Sequence, residues 1–237
     1  MIFAGILAGG TGTRMNVTKM PKQFLMLGTK PIIIHTVEKF LLCNKVDIVY
    51  LGVHKDWVNY CEELIEKYIE TRKNKIRIIE GGEDRNGTIM NIINDIEKEY
   101  PDTSNSIIVT HDAVRPFVSL KIIEENIEGA KEYGACDTVI PATDTIVKSE
   151  NGIDITEIPN RKFLYQGQTP QSFKLSILKE LYNRINEDDK RELTDACKIC
   201  VINGKNVKMV YGDSLNIKIT TIEDYTIAQA ILSQEGK

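Results

Sequence analysis

The chain has 237 residues, of which 42% are hydrophobic and 27% are charged, and its formal net charge is −4. This composition predicts one globular domain over residues 1–237, and the negative balance gives no electrostatic footprint for nucleic acid. Five scattered cysteines argue against a secreted disulfide framework, and the apolar run at 2–8 has no basic leader, so we expect a cytoplasmic protein without signal peptide or membrane insertion.

Strand-like and helix-like patterns alternate through the first half of the chain. Short apolar runs predict buried strands at 2–8, 46–53, 76–79 and 107–109. Helices are predicted between them, one starting at Pro31 and the others over about 56–72 and about 87–99. This βαβαβαβ order predicts an α/β fold, a mostly parallel sheet covered by helices on both faces.

The second half has a different pattern. Extended segments at 139–147 and 153–158 flank Asn151-Gly152, a strong turn signal for a β-hairpin. We expect this hairpin to protrude at about 143–163, either as decoration of the sheet edge or as a dimerisation arm that borders the site. Beyond it we predict helices at about 174–185 and 194–201, a strand at about 207–211, and a last helix capped by Thr221 that runs to about Leu232.

A glycine-rich turn follows the first predicted strand, between Leu7 and Met15. Glycines let the backbone turn sharply and bring its N–H groups close to phosphate oxygens. The turn is not a dinucleotide fingerprint, because no third glycine follows Gly10-Thr11-Gly12, and it is not a P-loop, because the motif G-x-x-x-x-G-K-[ST] is absent. Arg14 adds a permanent cation where phosphate charge would lie. An ordinary strand-to-helix turn is the alternative interpretation of the glycines.

Two further segments could join this turn around a phosphate group. Pro21 stiffens the backbone before Lys22, which follows Arg14 by eight residues, so both cations can reach one anion. The loop from Gly81 to Thr88 lies between a predicted strand and a helix, at the carboxyl edge where open α/β sheets bind ligands. Its alternative role is an ordinary turn, with Asn86 or Thr88 as the helix N-cap.

Asp112 ends a buried predicted strand, in the segment Thr110-His111-Asp112-Ala113-Val114-Arg115. An aspartate at this position could contact Mg²⁺ or a ribose in a protein that binds a triphosphate. The alternative is an ion pair with Arg115 that holds the loop. We interpret His111 as structural.

Arg161 and Lys218 would each be surface charges in most proteins. Lys218, however, lies in an Ile-Lys-Ile-Thr stretch, where alternation places it opposite the apolar side chains. Cys197 and Cys200 form a single CxxC pair, which cannot complete a tetrahedral zinc site without further ligands. A reduced, partly buried pair of thiols is the favoured interpretation of these two cysteines.

Taken together and in this order, the motifs resemble those of the cytidylyltransferases that act on polyol phosphates, a family that includes methylerythritol-phosphate and ribitol-5-phosphate enzymes. The likeness runs from residue 2 to about residue 232. It rests on Gly-x-Gly-x-Arg-Met, Pro-Lys-Gln-Phe, Gly-Gly-x-x-Arg, His-Asp-x-x-Arg-Pro, Gln-Thr-Pro-Gln and Asn-Ile-Lys-Ile-Thr. The resemblance implies a Rossmann-like fold with a protruding β-hairpin arm, a homodimer formed through that arm, and dependence on Mg²⁺.

The resemblance also implies roles for individual residues. Arg14 and Lys22 match the pair that stabilises the transition state, and Arg161 and Lys218 match the pair that holds the acceptor phosphate. The residues that match the CTP site are Leu7, Ala8, Gly9, Gly10, Gly81, Gly82, Glu83, Asp84, Arg85, Asn86, Gly87, Thr88 (a hydroxyl near the base) and Asp112 (at the ribose and the metal).

Within the family, the stretch Leu-Ala-Gly-Gly-Thr-Gly-Thr-Arg at 7–14 resembles the ribitol-5-phosphate branch, whereas the isoprenoid branch usually shows Pro-Ala-Ala-Gly there. Segments 158–161, 164–171 and 193–198 resemble the same branch. We therefore expect transfer of CMP from CTP to D-ribitol 5-phosphate, giving CDP-ribitol and pyrophosphate for teichoic-acid or other cell-surface polymer synthesis.

Three other functions share parts of this sequence pattern. The methylerythritol-phosphate enzyme of isoprenoid synthesis and a non-catalytic nucleotide-binding protein stay as alternatives. A nicotinamide-dependent oxidoreductase is disfavoured because it would need a third glycine and an acidic residue at the end of the second strand, which instead reads Gly52-Val53-His54-Lys55.

Overall fold

A seven-stranded mixed sheet is the central element of the protein, seen in a computed structural model that describes residues 1–10 and 20–235. The strands of the described residues are β1 (Ile2–Ala8), β2 (Met26–Leu27), β3 (Lys30–Pro31), β4 (Ile48–Val53), β5 (Ile76–Glu80), β6 (Ile107–Asp112), β7 (Ala135–Pro141), β8 (Tyr165–Lys174) and β9 (Lys208–Tyr211). The sheet order is β5-β4-β1-β6-β8-β7-β9, and β2 pairs separately with β3. Within the seven-stranded sheet, neighbouring strands are parallel except for β8, which is antiparallel to both β6 and β7. The predicted mostly parallel sheet is thus confirmed.

Helices cover both faces of this sheet. Those of the described residues are α1 (Ile32–Leu42), α2 (Val58–Tyr68), α3 (Arg85–Glu99), α4 (Leu120–Tyr133), α5 (Leu175–Asn183), α6 (Glu187–Arg191), α7 (Ala196–Ile202) and α8 (Ile222–Glu235). Successive residues of a strand point to opposite faces. Phe3 accordingly packs in one core with α3, α5 and α7, while Ala4 packs in another with α1, α2 and α4. The two-sided coverage that the sequence predicted is confirmed.

Strand β8 and helix α4 were not predicted from the sequence. Strand β8 reads Tyr-Gln-Gly-Gln-Thr-Pro-Gln-Ser-Phe-Lys, with a proline and little hydrophobic alternation. It is nevertheless buried from Gln168 to Phe173, and its polar side chains find partners on neighbouring elements, as in the bond that Gln171 Nε2 donates to Asp137 Oδ1 (3.0 Å). The extended segment predicted at 139–147 was placed too late, since β7 ends at Pro141.

Residues 142–164 form the arm that projects from the sheet between β7 and β8. Its base is closed by a hydrogen bond from Ala142 N–H to the Leu164 carbonyl (3.0 Å), and residues 143–158 are all exposed. The predicted turn is present, since Gly152 has a φ of +72° and Asn151 Oδ1 accepts bonds from the N–H groups of Ile153 and Asp154. The two extended strands predicted on either side of this turn do not form, because the residues of the arm make one β-bridge, between Lys148 and Glu157.

The last helix begins as the sequence predicted. Thr221 Oγ1 accepts a bond from Asp224 N–H (3.3 Å), and the Asp224 carboxylate accepts one from Thr221 N–H (2.8 Å), a reciprocal cap. This cap ends the segment that carries Lys218. Across the described residues, no helix is long and apolar enough to cross a membrane.

Candidate active site

A cleft opens at the carboxyl edge of β1 and β6. It is lined by the turn after β1, the segment at Lys22, the loop before α3, the end of β6 and the segment before α8. The predicted site residues that line it are Leu7, Ala8, Gly9, Gly10, Lys22, Gly82, Glu83, Asp84, Arg85, Thr88, Asp112 and Lys218. Five segments far apart in sequence therefore meet in one place, at the edge where parallel sheets bind ligands.

Of the other predicted residues, those that the structure describes do not line this cleft, and Gly87 lies in the first turn of α3. Gly81 borders an adjoining depression with Gly9 and Gly10, and Asn86 is buried, donating a hydrogen bond to the Leu193 carbonyl (3.1 Å). Arg161 lies on the arm, where its guanidinium donates to the Thr143 carbonyl (2.6 Å). Arg14 falls outside the described residues.

The loop before α3 is held by its own side chains. The N-cap is Asp84, whose carboxylate accepts a bond from Gly87 N–H (2.7 Å), so the prediction of Asn86 or Thr88 as the cap was wrong. The Thr88 hydroxyl accepts from Gly82 N–H (3.0 Å) and donates to the Asp84 carbonyl (2.9 Å). A β-carbon on Gly82 would lie 2.4 Å from the Gly87 backbone, so the loop closes only with glycine at 82.

Asp112 is the anion around which the cations of the cleft gather. Its carboxylate lies 2.9 Å from Lys218 Nζ and 3.6 Å from the Nε atoms of both Arg85 and Arg115. The Asp112–Arg115 pair that the sequence suggested as the alternative is therefore present, but as one of several. Burial alone would raise the pKa of Asp112, but the Arg85, Lys218 and Arg115 cations hold that pKa well below its usual value. The carboxylate is thus ionised at neutral pH.

His111 fixes the backbone that carries Asp112. Its Nε2 lies 3.1 Å from the Arg115 carbonyl, which can only accept, so Nε2 carries the proton and Nδ1 accepts from Thr169 Oγ1 (2.9 Å). The Thr169 oxygen in turn accepts from Asp112 N–H (3.1 Å). Burial lowers the pKa of His111 to about 4, so the ring is neutral at pH 7. The structure supports the interpretation of His111 as structural.

The segment that carries Lys218 is fixed by hydrogen bonds to strand β8, the strand that also carries Thr169. The Asn216 side chain is fully buried and donates to the Thr169 carbonyl (2.8 Å) and to Gln168 Oε1 (3.1 Å). The Asn216 carbonyl accepts from Arg115 Nη1 (2.7 Å). The antiparallel strand β8, which the sequence did not predict, therefore positions both cations beside Asp112.

A second polar cluster lies next to this network, under the N-terminus of α7. Ligand atoms of Asp137, Asp195 and Cys197 lie within 4.8 Å of one another. The Gln171 amide donates to both carboxylates (3.0 and 2.6 Å), and burial raises the pKa of Asp137 to about 7. Burial also raises the pKa of the Cys197 thiol and, to about 11, that of Cys200. Both thiols are protonated and buried, in line with the reduced pair favoured from the sequence.

Four further residues line the cleft without having been predicted there: Gln23, Ala113, Val114 and Thr220. Each is a sequence neighbour of a predicted residue, which is the signal that could have found them. Gln23 carries the clearest chemical function of the four, because it is a buried amide beside the glycine-rich turn.

A glycine-rich turn and converging cations at the carboxyl edge of parallel strands define an α/β protein that binds a phosphate-bearing ligand. The sequence model of the 2-C-methyl-D-erythritol 4-phosphate cytidylyltransferase family matches residues 2–234. The chain therefore belongs to this family of nucleotidyltransferases, which confirms the predicted enzyme class.

Individual relatives agree with this assignment. The chain is 51% identical over 235 residues to a ribitol-5-phosphate cytidylyltransferase of Streptococcus pneumoniae serotype 2, covering 99% of this chain and 100% of that protein. Among solved structures, a 4-diphosphocytidyl-2C-methyl-D-erythritol synthase from Anaerococcus prevotii matches with a TM-score of 0.79 and 26% identity, covering 98% and 96% of the two chains. A 2-C-methyl-D-erythritol 4-phosphate cytidylyltransferase from Francisella tularensis matches with a TM-score of 0.79 and 25% identity, covering 97% and 98%.

Proposed function

We propose that this protein transfers CMP from CTP to D-ribitol 5-phosphate and releases pyrophosphate. The observation that carries the proposal is the cleft in which Lys22 and Lys218 converge with the glycine-rich turn and Asp112. The acceptor follows from the relative that is 51% identical over the whole chain and is named for ribitol 5-phosphate. We further propose that the reaction takes place in the cytoplasm and supplies CDP-ribitol for teichoic-acid or another cell-surface polymer.

The chemistry requires two anions to meet. The acceptor phosphate oxygen attacks the α-phosphorus of CTP, and pyrophosphate leaves. Two unit charges about 4 Å apart repel by roughly 4 kcal/mol at an effective dielectric near 20. Fixed cations and backbone N–H donors offset this repulsion without reorganising during the step, which is the role proposed for Lys22, for the turn after β1 and for Arg14. No general base is needed, because the acceptor phosphate is already largely ionised near neutral pH.

Lys218 is proposed to hold the acceptor phosphate. Its side chain is half-exposed to the cleft, and its backbone segment is fixed through Asn216. A positioned cation converts an encounter of two anions into an oriented attack. In the free protein Asp112 neutralises Lys218, so acceptor binding exchanges one anionic partner of this lysine for another.

The arm is proposed to form a homodimer. Several large apolar side chains on it are exposed, among them Ile153 (85%), Ile158 (62%) and Phe163 (71%), and such surfaces are typical of protein interfaces. Arg161 lies on the arm and outside the cleft, so its proposed contact with the acceptor phosphate requires the arm to approach an active site, as it would in such a dimer.

Mg²⁺ is proposed to accompany the triphosphate. This ion is usually held by one or two carboxylates together with substrate phosphate oxygens, and Asp112 is an ionised carboxylate at the edge of the cleft. The donor chemistry of the cleft therefore fits the ion, with Asp112 as its protein ligand. When bound, the ion would neutralise charge on the phosphate oxygens.

Pyrophosphate release tests the proposal. With CTP and Mg²⁺, ribitol 5-phosphate should support turnover, whereas methylerythritol phosphate should give little. Faster turnover with methylerythritol phosphate would establish the isoprenoid alternative, and CTP binding without pyrophosphate release would favour a non-catalytic protein.

Substitutions test the assigned roles. Lys22→Ala should lower kcat by more than about tenfold, at least 1.4 kcal/mol, and Lys218→Ala should mainly raise the KM for the acceptor. Lys121→Ala is the matched control, because this lysine is exposed on α4. Near-normal turnover of Lys22→Ala, or unchanged acceptor kinetics of Lys218→Ala, would contradict the role assigned to that residue.

A further inference from the structure

Gln23 joins the two segments that hold the proposed triphosphate. It lies in the short 3-10 helix Lys22–Phe24, directly after the lysine that lines the cleft. Its side chain is only 2% exposed, and its Nε2 donates to the Ala8 carbonyl (2.7 Å) and to the Gly10 carbonyl (3.0 Å). A carboxamide nitrogen has two donor hydrogens. Both are therefore committed to the glycine-rich turn.

The orientation of this amide follows from its partners. The two carbonyl oxygens can only accept hydrogen bonds, so the nitrogen and not the oxygen of the Gln23 amide must face them. The base of the residue is anchored as well, because the adjacent Phe24 is buried against Trp57 and Tyr60, with ring centroids 5.4 Å away in each case. Gln23 thus links the turn after β1 to a fixed part of the core.

This link decides which backbone groups the turn presents to an anion. Gly9 and Gly10 have no side chains to fix their conformation, and a carbonyl facing a triphosphate would repel it. In a trans peptide the N–H points opposite to the C=O. When the Ala8 carbonyl is held by Gln23, the Gly9 N–H of the same peptide points away from Gln23. Gly10 also has no described atom within 4 Å of where a β-carbon would lie, so the described residues leave this side of Gly10 open.

We propose that Gln23 is a positioning residue for the triphosphate: its amide withdraws the Ala8 and Gly10 carbonyls from the phosphate oxygens and keeps the turn in register with Lys22. The inference rests on the proposed function, since it takes a nucleoside triphosphate as the ligand of this cleft. It assigns to Gln23 no contact with the substrate itself. Its effect should therefore appear in the use of CTP and leave the use of the acceptor nearly unchanged.

Two substitutions separate this role from simple packing. Gln23→Met keeps the length and removes both donors, and Gln23→Glu keeps the shape and places a carboxylate against two carbonyl oxygens. Asn126→Leu is the matched control, because Asn126 is also fully buried and its amide donates to the Ile122 carbonyl (3.0 Å) and to Thr138 Oγ1 (2.8 Å), both outside the cleft. Loss of a buried donor pair should lower the melting temperature of Gln23→Met and Asn126→Leu alike.

Steady-state kinetics of these variants test the positioning role of Gln23. Gln23→Met should raise the KM for CTP by about tenfold or more and Gln23→Glu by more still, while the KM for ribitol 5-phosphate stays within about twofold in both. Asn126→Leu should change neither KM. A KM for CTP within about twofold of wild type in both Gln23 variants, or an equal rise in both KM values, would overturn the inference.

A second ligand keeps the two proposals distinguishable. Inorganic tripolyphosphate carries the phosphate chain of CTP without the nucleoside, and its affinity is measured by calorimetry on the same proteins. A wild-type protein that binds tripolyphosphate but not CTP would reject the proposed function, yet weaker tripolyphosphate binding by Gln23→Met would still support the positioning role. Equal tripolyphosphate affinity in wild type and Gln23→Met would overturn that role.

Discussion

Replacing Asp112 with asparagine should weaken the fold and strengthen anion binding at the same time. The carboxylate lies within 3.6 Å of three cationic side chains, Lys218, Arg85 and Arg115. The substitution keeps the shape of the side chain and removes its charge. The three cations would then face one another without a common counter-ion.

The expected loss of stability can be bounded from the burial of these groups. The side chains of Asp112 and Arg115 are each 10% exposed, and breaking such a buried pair typically costs about 3–5 kcal/mol. Lys218 is 44% exposed and is largely screened by solvent, so we take the lower end, about 3 kcal/mol. For a chain of this length that corresponds to a fall of roughly 6–12 °C in melting temperature.

Two thermal-melting series measure this prediction. Without ligand, Asp112→Asn should melt lower than wild type; with millimolar pyrophosphate and no metal, it should be stabilised more than wild type, because the uncompensated cations bind the anion. Asp188→Asn is the control, since that carboxylate is 94% exposed and pairs with Arg191 at the surface (3.6 Å). A variant with the melting temperature and pyrophosphate response of wild type would refute the reasoning.

The pH dependence of the same variant has a defined sign. The cations around Asp112 keep its pKa in the folded state below the unfolded value of about 3.9. Such a group stabilises the fold above the unfolded pKa, and its contribution is lost as the pH falls through the folded pKa. The difference in unfolding free energy between wild type and Asp112→Asn should therefore be constant above about pH 5 and shrink below about pH 4.

Three other predictions concern two glycines and the buried histidine. Gly82→Ala should lower the melting temperature and raise the KM for CTP, because the new methyl group would lie 2.4 Å from the Gly87 backbone. Gly10→Ala should raise the KM for CTP at an unchanged melting temperature, because no described atom lies within 4 Å of its new methyl group. Steady-state kinetics and melting curves measure both effects. The pKa of His111 is lowered to about 4 in the fold, so the unfolded state takes up a proton first and stability should fall as the pH drops from about 6.5 to 4, by roughly 3 kcal/mol. Urea unfolding at several pH values measures this slope, which should be much smaller in His111→Gln; an equal slope would contradict the assignment.

The first half of the fold could be predicted because its signals are local. The run at 2–8 is apolar and ends in glycines, and β1 occupies Ile2–Ala8 in the structure. Strand β8 could not be predicted, since it has a polar sequence whose burial depends on partners distant along the chain. Gln171, for example, is fully buried, and its amide nitrogen donates to Asp137 and Asp195, which are distant along the chain. Such long-range pairing leaves no periodic signal in one sequence.

The candidate site shows the same division. The sequence motifs predicted the position of the cleft, and Lys22, Asp112 and Lys218 all line it in the structure. The roles of their supports were not predictable, because Asn216 and Thr169 act through hydrogen bonds across segments that are adjacent only in the fold. The predicted contributions of Arg14 and Arg161 stay predictions: the first lies outside the described residues, and the second lies on the arm.

The closed base of the arm has a consequence for how such proteins diversify. Because Ala142 and Leu164 are joined by a hydrogen bond, the chain leaves and re-enters the sheet at the same place. Segments with adjacent ends can be lengthened, shortened or exchanged with little effect on the body they leave. Grafting the arm of a relative between these two residues would then exchange as one unit the surface proposed for subunit pairing, together with the position of Arg161, while the residues of the cleft stay in place.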